Sequence, residues 1–254
     1  MQGTEGLLGK AVPCPSSFHR VTEEIVDQCI VMIFDTVNLS QNDFQLALRT
    51  IEDCQTPRHQ SDLDAVINAV ASRQREYIAG RVLARELLDR IGVNAQTIAS
   101  GPKREPLWPT GIVGSISHNE RSCAVVVAQN SVVTSVGIDI ETIGRIDRHL
   151  WANLFTEEET EHLQQLEPAA RSRQATVLFS IKEAFYKYQY PITQGWVGFR
   201  DVNVHQEDAS SYRLTAQISD ATLATSVLAI VEPVGADQVI ALVVDQAVLK
   251  ATGY

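Results

Sequence analysis

Between Gly111 and Glu141 the sequence holds three short β-rich runs, "GIVGSIS", "SCAVVVAQ" and "TSVGIDIE", separated by turn chemistry. Runs of this kind, bounded by Gly, Asn and Ser, read as strands, and three in succession predict a sheet. That sheet constrains what can surround it. Upstream, "DAVINAVASRQREYIAGRVLARELLDRIG" repeats Ala, Leu and Ile at helical intervals over 64–91, with Gly92 where a helix stop is expected. Downstream, "RHLWANLFTEEETEHLQQL" offers a helix start at Thr156 with an acidic first turn, and "AARSRQATVLFSIKEAFYKYQ" a long amphipathic helix that Pro191 stops. From about residue 198, "RDVNVHQ", "SYRLTAQIS", "TSVLAIVE" and "QVIALVVDQ" again alternate like strands. Strand, two helices and then sheet make an α+β arrangement. Near the start, the apolar run "CIVMIF" at 29–34 predicts a buried strand, and "SGPKREPLWP" at 100–109, with three prolines, predicts a surface loop.

A chain of 254 residues forms one large domain or two halves sharing a core. Its formal net charge of −10 argues against broad nucleic-acid binding, which relies on excess Lys and Arg to displace counterions. Any anionic ligand must therefore meet a local basic cluster. No apolar run approaches the roughly 18–20 residues of a membrane helix, and the first dozen residues lack the pattern of a secretory signal, so a cytoplasmic location is expected. The four cysteines show no metal spacing, which sets aside a zinc site and a disulfide scaffold.

In "SVGIDIE" strand alternation turns Val136, Ile138 and Ile140 one way and Gly137, Asp139 and Glu141 the other. Two carboxylates on one rigid face repel unless a cation lies between them, and hard oxygen ligands suit Mg²⁺. Alone, the same pair also reads as two acids on a solvent-facing edge strand. In "FSIKEAFYK", Glu183 and Lys187 are helical i, i+4 neighbours. They form either an ordinary surface pair or a third carboxylate with a lysine to steady phosphate charge. Ser117 and His118 close the run "GSISH" at a turn, where a hydroxyl and an imidazole could grip phosphate oxygens, and Lys103 and Arg104 lead towards the same strand. A serine hydrolase fits less well, because neighbouring residues on a strand point to opposite faces.

Taken together and in this order, "REPLWP", "GSISH", "VGIDIE" and "FSIKEAFYK" resemble the signature of the larger, pseudo-dimeric 4'-phosphopantetheinyl transferases. The resemblance is nearest to the siderophore-pathway, enterobactin synthase component D-like branch, which has Phe-Ser where other members have Trp before the Lys-Glu pair. It covers roughly residues 70–205, with "REYIAGR" as the upstream arginine block, and it is specific as a set rather than motif by motif.

The resemblance implies a fold of two similar α/β halves about a pseudo-twofold axis, here 1–132 and 133–254, with the active site in the cleft between them. It implies transfer of phosphopantetheine from coenzyme A to a serine of an apo carrier domain of a nonribosomal peptide synthetase, releasing adenosine 3',5'-bisphosphate. Asp139, Glu141 and Glu183 would hold Mg²⁺, or Mn²⁺ in its place. Glu183 would also be the base, and Lys187 would steady the phosphate. Ser117, His118, Arg81 and the loop bases Lys103 and Arg104 would bind coenzyme A. Which of Lys103 and Arg104 makes the contact stays open, as does the choice between Arg81 and Arg75 upstream. Two fused halves imply a monomer, and the branch implies a cytoplasmic enzyme at most peripheral to the inner membrane within a synthetase assembly. A metal-dependent phosphohydrolase is the enzymatic rival, because "DIET" holds part of an Asp-x-Asp-x-Thr motif but lacks its second Asp. A non-catalytic carrier-binding subunit is the rival of another class.

Overall fold

The structure, a computed structural model, describes residues 33, 39–57, 59–95, 97–216 and 227–248. In chain order its main elements are β1 (Phe44–Thr50), α1 (Gln60–Asp64), α2 (Ala71–Arg90), β2 (Ile112–His118), β3 (Ser122–Gln129) and β4 (Val136–Thr142). There follow α3 (Trp151–Leu154), α4 (Glu157–Gln165), α5 (Pro168–Thr193), β5 (Val202–Gln206), β6 (Ser211–Ala216), β7 (Val227–Val234) and β8 (Gln238–Asp245).

Two antiparallel sheets result, one ordered β1-β3-β2 and the other β4-β8-β7-β6-β5. Their stacking follows from the sequence of the central strands. In β3, Cys123, Val125 and Val127 pack with Leu83 and Leu87 of α2, while Ala124, Val126 and Ala128 face the second sheet. In β8, Val239, Ala241 and Val243 pack with α5, while Ile240, Leu242 and Val244 meet the first sheet. Strands buried on both faces need apolar residues at every position, hence the unbroken runs "CAVVVA" and "VIALVV". The layers are α2, first sheet, second sheet and α5. Each half runs strand, long helix, then strands, and in each the first strand pairs antiparallel with the last, β1 with β3 and β4 with β8. The architecture is α+β with two similar halves.

Several expectations need correction. The three runs at 111–141 do not share one sheet, because β4 pairs with β8 and opens the second. The long helix starts at Ala71 rather than residue 64. Asp62 is buried and forms a two-pronged ion pair with Arg85, at 2.5 and 2.7 Å. On one continuous helix those residues would stand about 35 Å apart, so the chain must fold back between α1 and α2. Gly92 does end α2, at φ 77°, with the Val93 amide returning to the Leu88 carbonyl and the Gly92 amide to that of Asp89. Pro191 lies inside the last turn of α5 rather than stopping it, and the helix ends at Gln194 in the left-handed region. The strand expected at 29–34 falls outside the described residues except at Ile33, which is helical and buried. The helix start expected at Thr156 is found there, and the structure adds a capping box, Thr156 and Glu159 bonding each other's backbone amides.

Candidate active site

The site begins with a glycine. A Cβ on Gly137 would lie 1.9 Å from the Ala184 carbonyl oxygen, so only glycine lets α5 press directly on β4. That contact brings the second turn of "KEAFYK" over the next inward residue of the strand, Asp139. The predicted alternation of β4 holds, with Val136, Ile138 and Ile140 in the core between the sheets.

Asp139 is buried and accepts from three side chains. Ser117 Oγ donates to Oδ1 at 2.8 Å, Ser180 Oγ to Oδ2 at 2.9 Å, and Lys187 Nζ to Oδ1 at 2.7 Å. Lys187 donates also to the Ile138 carbonyl at 3.1 Å. The lysine that its spacing paired with Glu183 is thus bonded to Asp139. Burial, and after it the Asp139 charge, pushes the Glu141 carboxyl up to about 7. Burial likewise raises Glu183; Lys187 opposes the rise and Asp139 adds to it.

Beside Glu183 and Lys187 opens a cavity of about 590 Å³, whose lining also includes Lys103, Arg104, Trp108 and Tyr186. Arg104 has φ 68°, a left-handed conformation uncommon for a residue with a Cβ, fixed by a turn in which its amide bonds the Gly101 carbonyl. The structure therefore brings Lys103, Arg104, Glu183 and Lys187 to one space, with Ser117 and Asp139 beneath Lys187.

His118 and Arg81 stand elsewhere. Nε2 of His118 lies 2.8 Å from Arg73 Nη1; guanidinium can only donate, so the imidazole accepts there. Glu76 faces Nδ1 at 3.6 Å. Burial holds His118 below the ordinary histidine value, with Glu76 opposing and Arg73 reinforcing. Arg81 is buried, donating to the Ile98 carbonyl at 2.8 Å and Ser100 Oγ at 3.0 Å beneath the Tyr77 ring, and so anchors the start of the 100–109 loop. Arg75 is exposed. Sequence reasoning missed Arg73 and Glu76 beside His118 and Ser180 beside Asp139. The signal for the first pair was present, since 73, 76 and 80 share one helix face, and Gly80 marks where that face meets Ile116 of β2.

The profile of the 4'-phosphopantetheinyl transferase N-terminal domain matches residues 61–128, and that of the 4'-phosphopantetheinyl transferase superfamily residues 135–243. Enterobactin synthase component D of Salmonella typhi is 30% identical over 184 residues, 71% of this chain and 67% of that protein. The chain belongs to the 4'-phosphopantetheinyl transferase family. Among further family members, 4'-phosphopantetheinyl transferase PptT of Mycobacterium tuberculosis is 36% identical over 146 residues, 58% of this chain and 64% of that protein. Npt of Nocardia iowensis is 30% identical, over 58% of this chain and 65% of that protein. The matched stretch thus spans just under two thirds of these last two transferases.

Whether the acids suit the divalent cation that the family resemblance implies can be judged from the chain itself. Among the described residues no three of His, Cys, Asp and Glu stand together in metal-holding geometry. Yet burial and the Asp139 charge raise both Glu141 and Glu183, and Asp139 already binds a cationic group, the Lys187 ammonium. Asp139, Glu141 and Glu183 supply carboxylate oxygens, the hard donor type that Mg²⁺ takes, so the set fits in donor chemistry.

Proposed function

We propose that the chain transfers the 4'-phosphopantetheine group of coenzyme A to a serine hydroxyl of an apo carrier domain, giving holo-carrier and adenosine 3',5'-bisphosphate. The observation that carries this reading is Lys187, bonded to the buried Asp139, lining one cavity together with Glu183, Lys103 and Arg104. In the reaction the serine oxygen forms a bond to the β-phosphorus, the bond from that phosphorus to the bridging oxygen breaks, and the nucleotide departs with the electron pair. The serine proton goes to Glu183, whose carboxylate is made more basic than an ordinary one by burial.

Asp139, Glu141 and Glu183 would hold Mg²⁺, which supplies positive charge against the pyrophosphate. Lys187 steadies the transferring phosphate from the cavity wall, and Lys103 and Arg104 meet the nucleotide phosphates. Ser117 holds the Asp139 carboxylate in place. His118 would meet the 3'-phosphate, with the positive charge there coming from Arg73, whose guanidinium donates to the imidazole. The division into 1–132 and 133–254 belongs to the same reading, with the first sheet before it and the second after it. The likeness to enterobactin synthase component D supports a carrier domain of a nonribosomal peptide synthetase in siderophore synthesis, and the same proposal has the chain act in the cytoplasm as a monomer. Among the described residues no helix is long and apolar enough to cross a membrane.

The test is the intact mass of an apo aryl or peptidyl carrier domain after incubation with the protein, coenzyme A and Mg²⁺. A metal-dependent gain of one phosphopantetheine is expected, and Glu183→Gln should abolish it while melting within a few degrees of the parent. Transfer by that variant at the parent's rate would remove Glu183 as base. An unmodified carrier alongside release of phosphate from small phosphoesters would overturn the reading in favour of a hydrolase.

A further inference from the structure

Asp139 is held by two kinds of donor. Ser117 and Ser180 are buried, their hydroxyls reach the carboxylate from short side chains, and each sits in a packed element, β2 or α5. Lys187, also on α5, differs in burial and in reach. Its side chain is 26% exposed, lines the cavity, and reaches Asp139 through a flexible four-carbon stem. Each carboxylate oxygen offers two lone-pair directions, and on Oδ1 these are taken by Ser117 and Lys187. A cation approaching Oδ1 from the cavity must therefore take the ammonium's place, while neutral hydroxyls can remain.

We propose that Lys187 is a displaceable counter-ion, which keeps Asp139 charged and oriented until a divalent cation replaces it, and that Ser180 and Ser117 are positioning residues holding the carboxylate through the exchange. This rests on the metal-dependent transferase reading above. The exchange keeps the carboxylate paired with positive charge throughout, because the ammonium leaves Asp139 only as the cation arrives and then stays tethered at the cavity wall. It also orders events: the lysine is released towards the phosphate-binding space only once the cation is in place. Lys182, on the same helix, shows what a purely structural lysine looks like here, with its side chain 1% exposed and its ammonium enclosed by Glu159 and two carbonyls.

The experiment titrates Mn²⁺ alone into the full chain at pH 8 without coenzyme A, following free Mn²⁺ by electron paramagnetic resonance. Lys187→Met should bind roughly tenfold tighter than the parent, the loss of one competing charge-assisted hydrogen bond. Lys187→Arg, which keeps the charge, should bind no tighter than the parent, and Ser180→Ala should bind more weakly. In EDTA, Lys187→Met should melt below the parent, and Mn²⁺ should raise its melting temperature by more than the parent's. Circular dichroism establishes that each variant is folded. Equal or weaker binding by Lys187→Met, with the parent binding normally, overturns the proposal and leaves the metal reading standing. An arginine variant as tight as Lys187→Met overturns it too. No binding by any form, with transfer intact in EDTA, overturns the metal reading and the proposal together.

Discussion

Lys182 and Lys187 stand five residues apart on α5, about 140° around the helix, and the two lysines of "IKEAFYK" point to unlike surroundings. Lys182 Nζ is buried and uses its three donors on Glu159 at 2.5 Å, the Phe199 carbonyl at 2.8 Å and the Leu154 carbonyl at 3.1 Å. Glu159 in turn accepts the Thr156 and Val204 amides, so one ion pair ties α3, α4, α5 and β5 together. Burial lowers the Lys182 ammonium's proton affinity, and Glu159 opposes that fall. Removing one partner strands the other. Lys182→Met should therefore lower stability by about 3–5 kcal/mol, read by urea denaturation, and adding Glu159→Gln should restore part of the loss. A double variant no more stable than Lys182→Met would place the cost in packing instead. The sequence exposed the i, i+4 relation of Glu183 and Lys187, because that is local. It did not expose the bond from Lys187 to Asp139, 48 residues away, which depends on how a helix docks on a strand.

At the scale of elements, the docking of α5 on β4 sets the site, and Gly137 sets the docking. Gly137→Ala would drive a methyl group into the Ala184 carbonyl and push the helix away. The expected cost is about 1–3 kcal/mol, or roughly 2–4 °C of melting temperature per kcal/mol in a domain of this size. Mn²⁺ affinity should fall with it, because Glu183 and Lys187 move with the helix. Normal affinity in a destabilised Gly137→Ala protein would show that the acids do not depend on this contact. The inward and outward residues of β4 were legible, since strand alternation is a two-residue rule. Its sheet was not, because its partner β8 lies about a hundred residues further on and nothing local names it. The start of α2 was misread for a related reason: apolar periodicity continues through 64–70, whereas the chain turns there to bring Asp62 back onto Arg85, a tertiary fact.

At the scale of the molecule, the two sheets meet through their edges as well as their faces. β2 and β4 are edge strands, and an edge exposes amides that must find acceptors. Here the acceptors are side chains: Ser115 Oγ takes the Ile138 amide at 3.1 Å and Ser117 Oγ the Ile140 amide at 3.4 Å. The "SIS" of the first half thus stands in for a strand carbonyl of the second, which is why two serines alternate with an isoleucine in an otherwise apolar run. At one end of this seam, Arg121 pairs with Asp237 at 2.6 Å and Ser122 Oγ donates to Gln238 at 3.1 Å. The two serines separate architecture from chemistry, since of their hydroxyls only that of Ser117 also donates to Asp139. Ser115→Ala should leave the Ile138 amide buried without a partner, a cost of about 1–3 kcal/mol, and hydrogen exchange at Ile138 should quicken while Mn²⁺ affinity stays near the parent's. Ser117→Ala should quicken exchange at Ile140 and weaken Mn²⁺ binding as well. If Ser115→Ala weakened the metal as much as Ser117→Ala, the site would depend on the fit of the halves as a whole. If neither altered exchange, the seam would be held by the apolar faces of the sheets, and the serines would serve Asp139 alone.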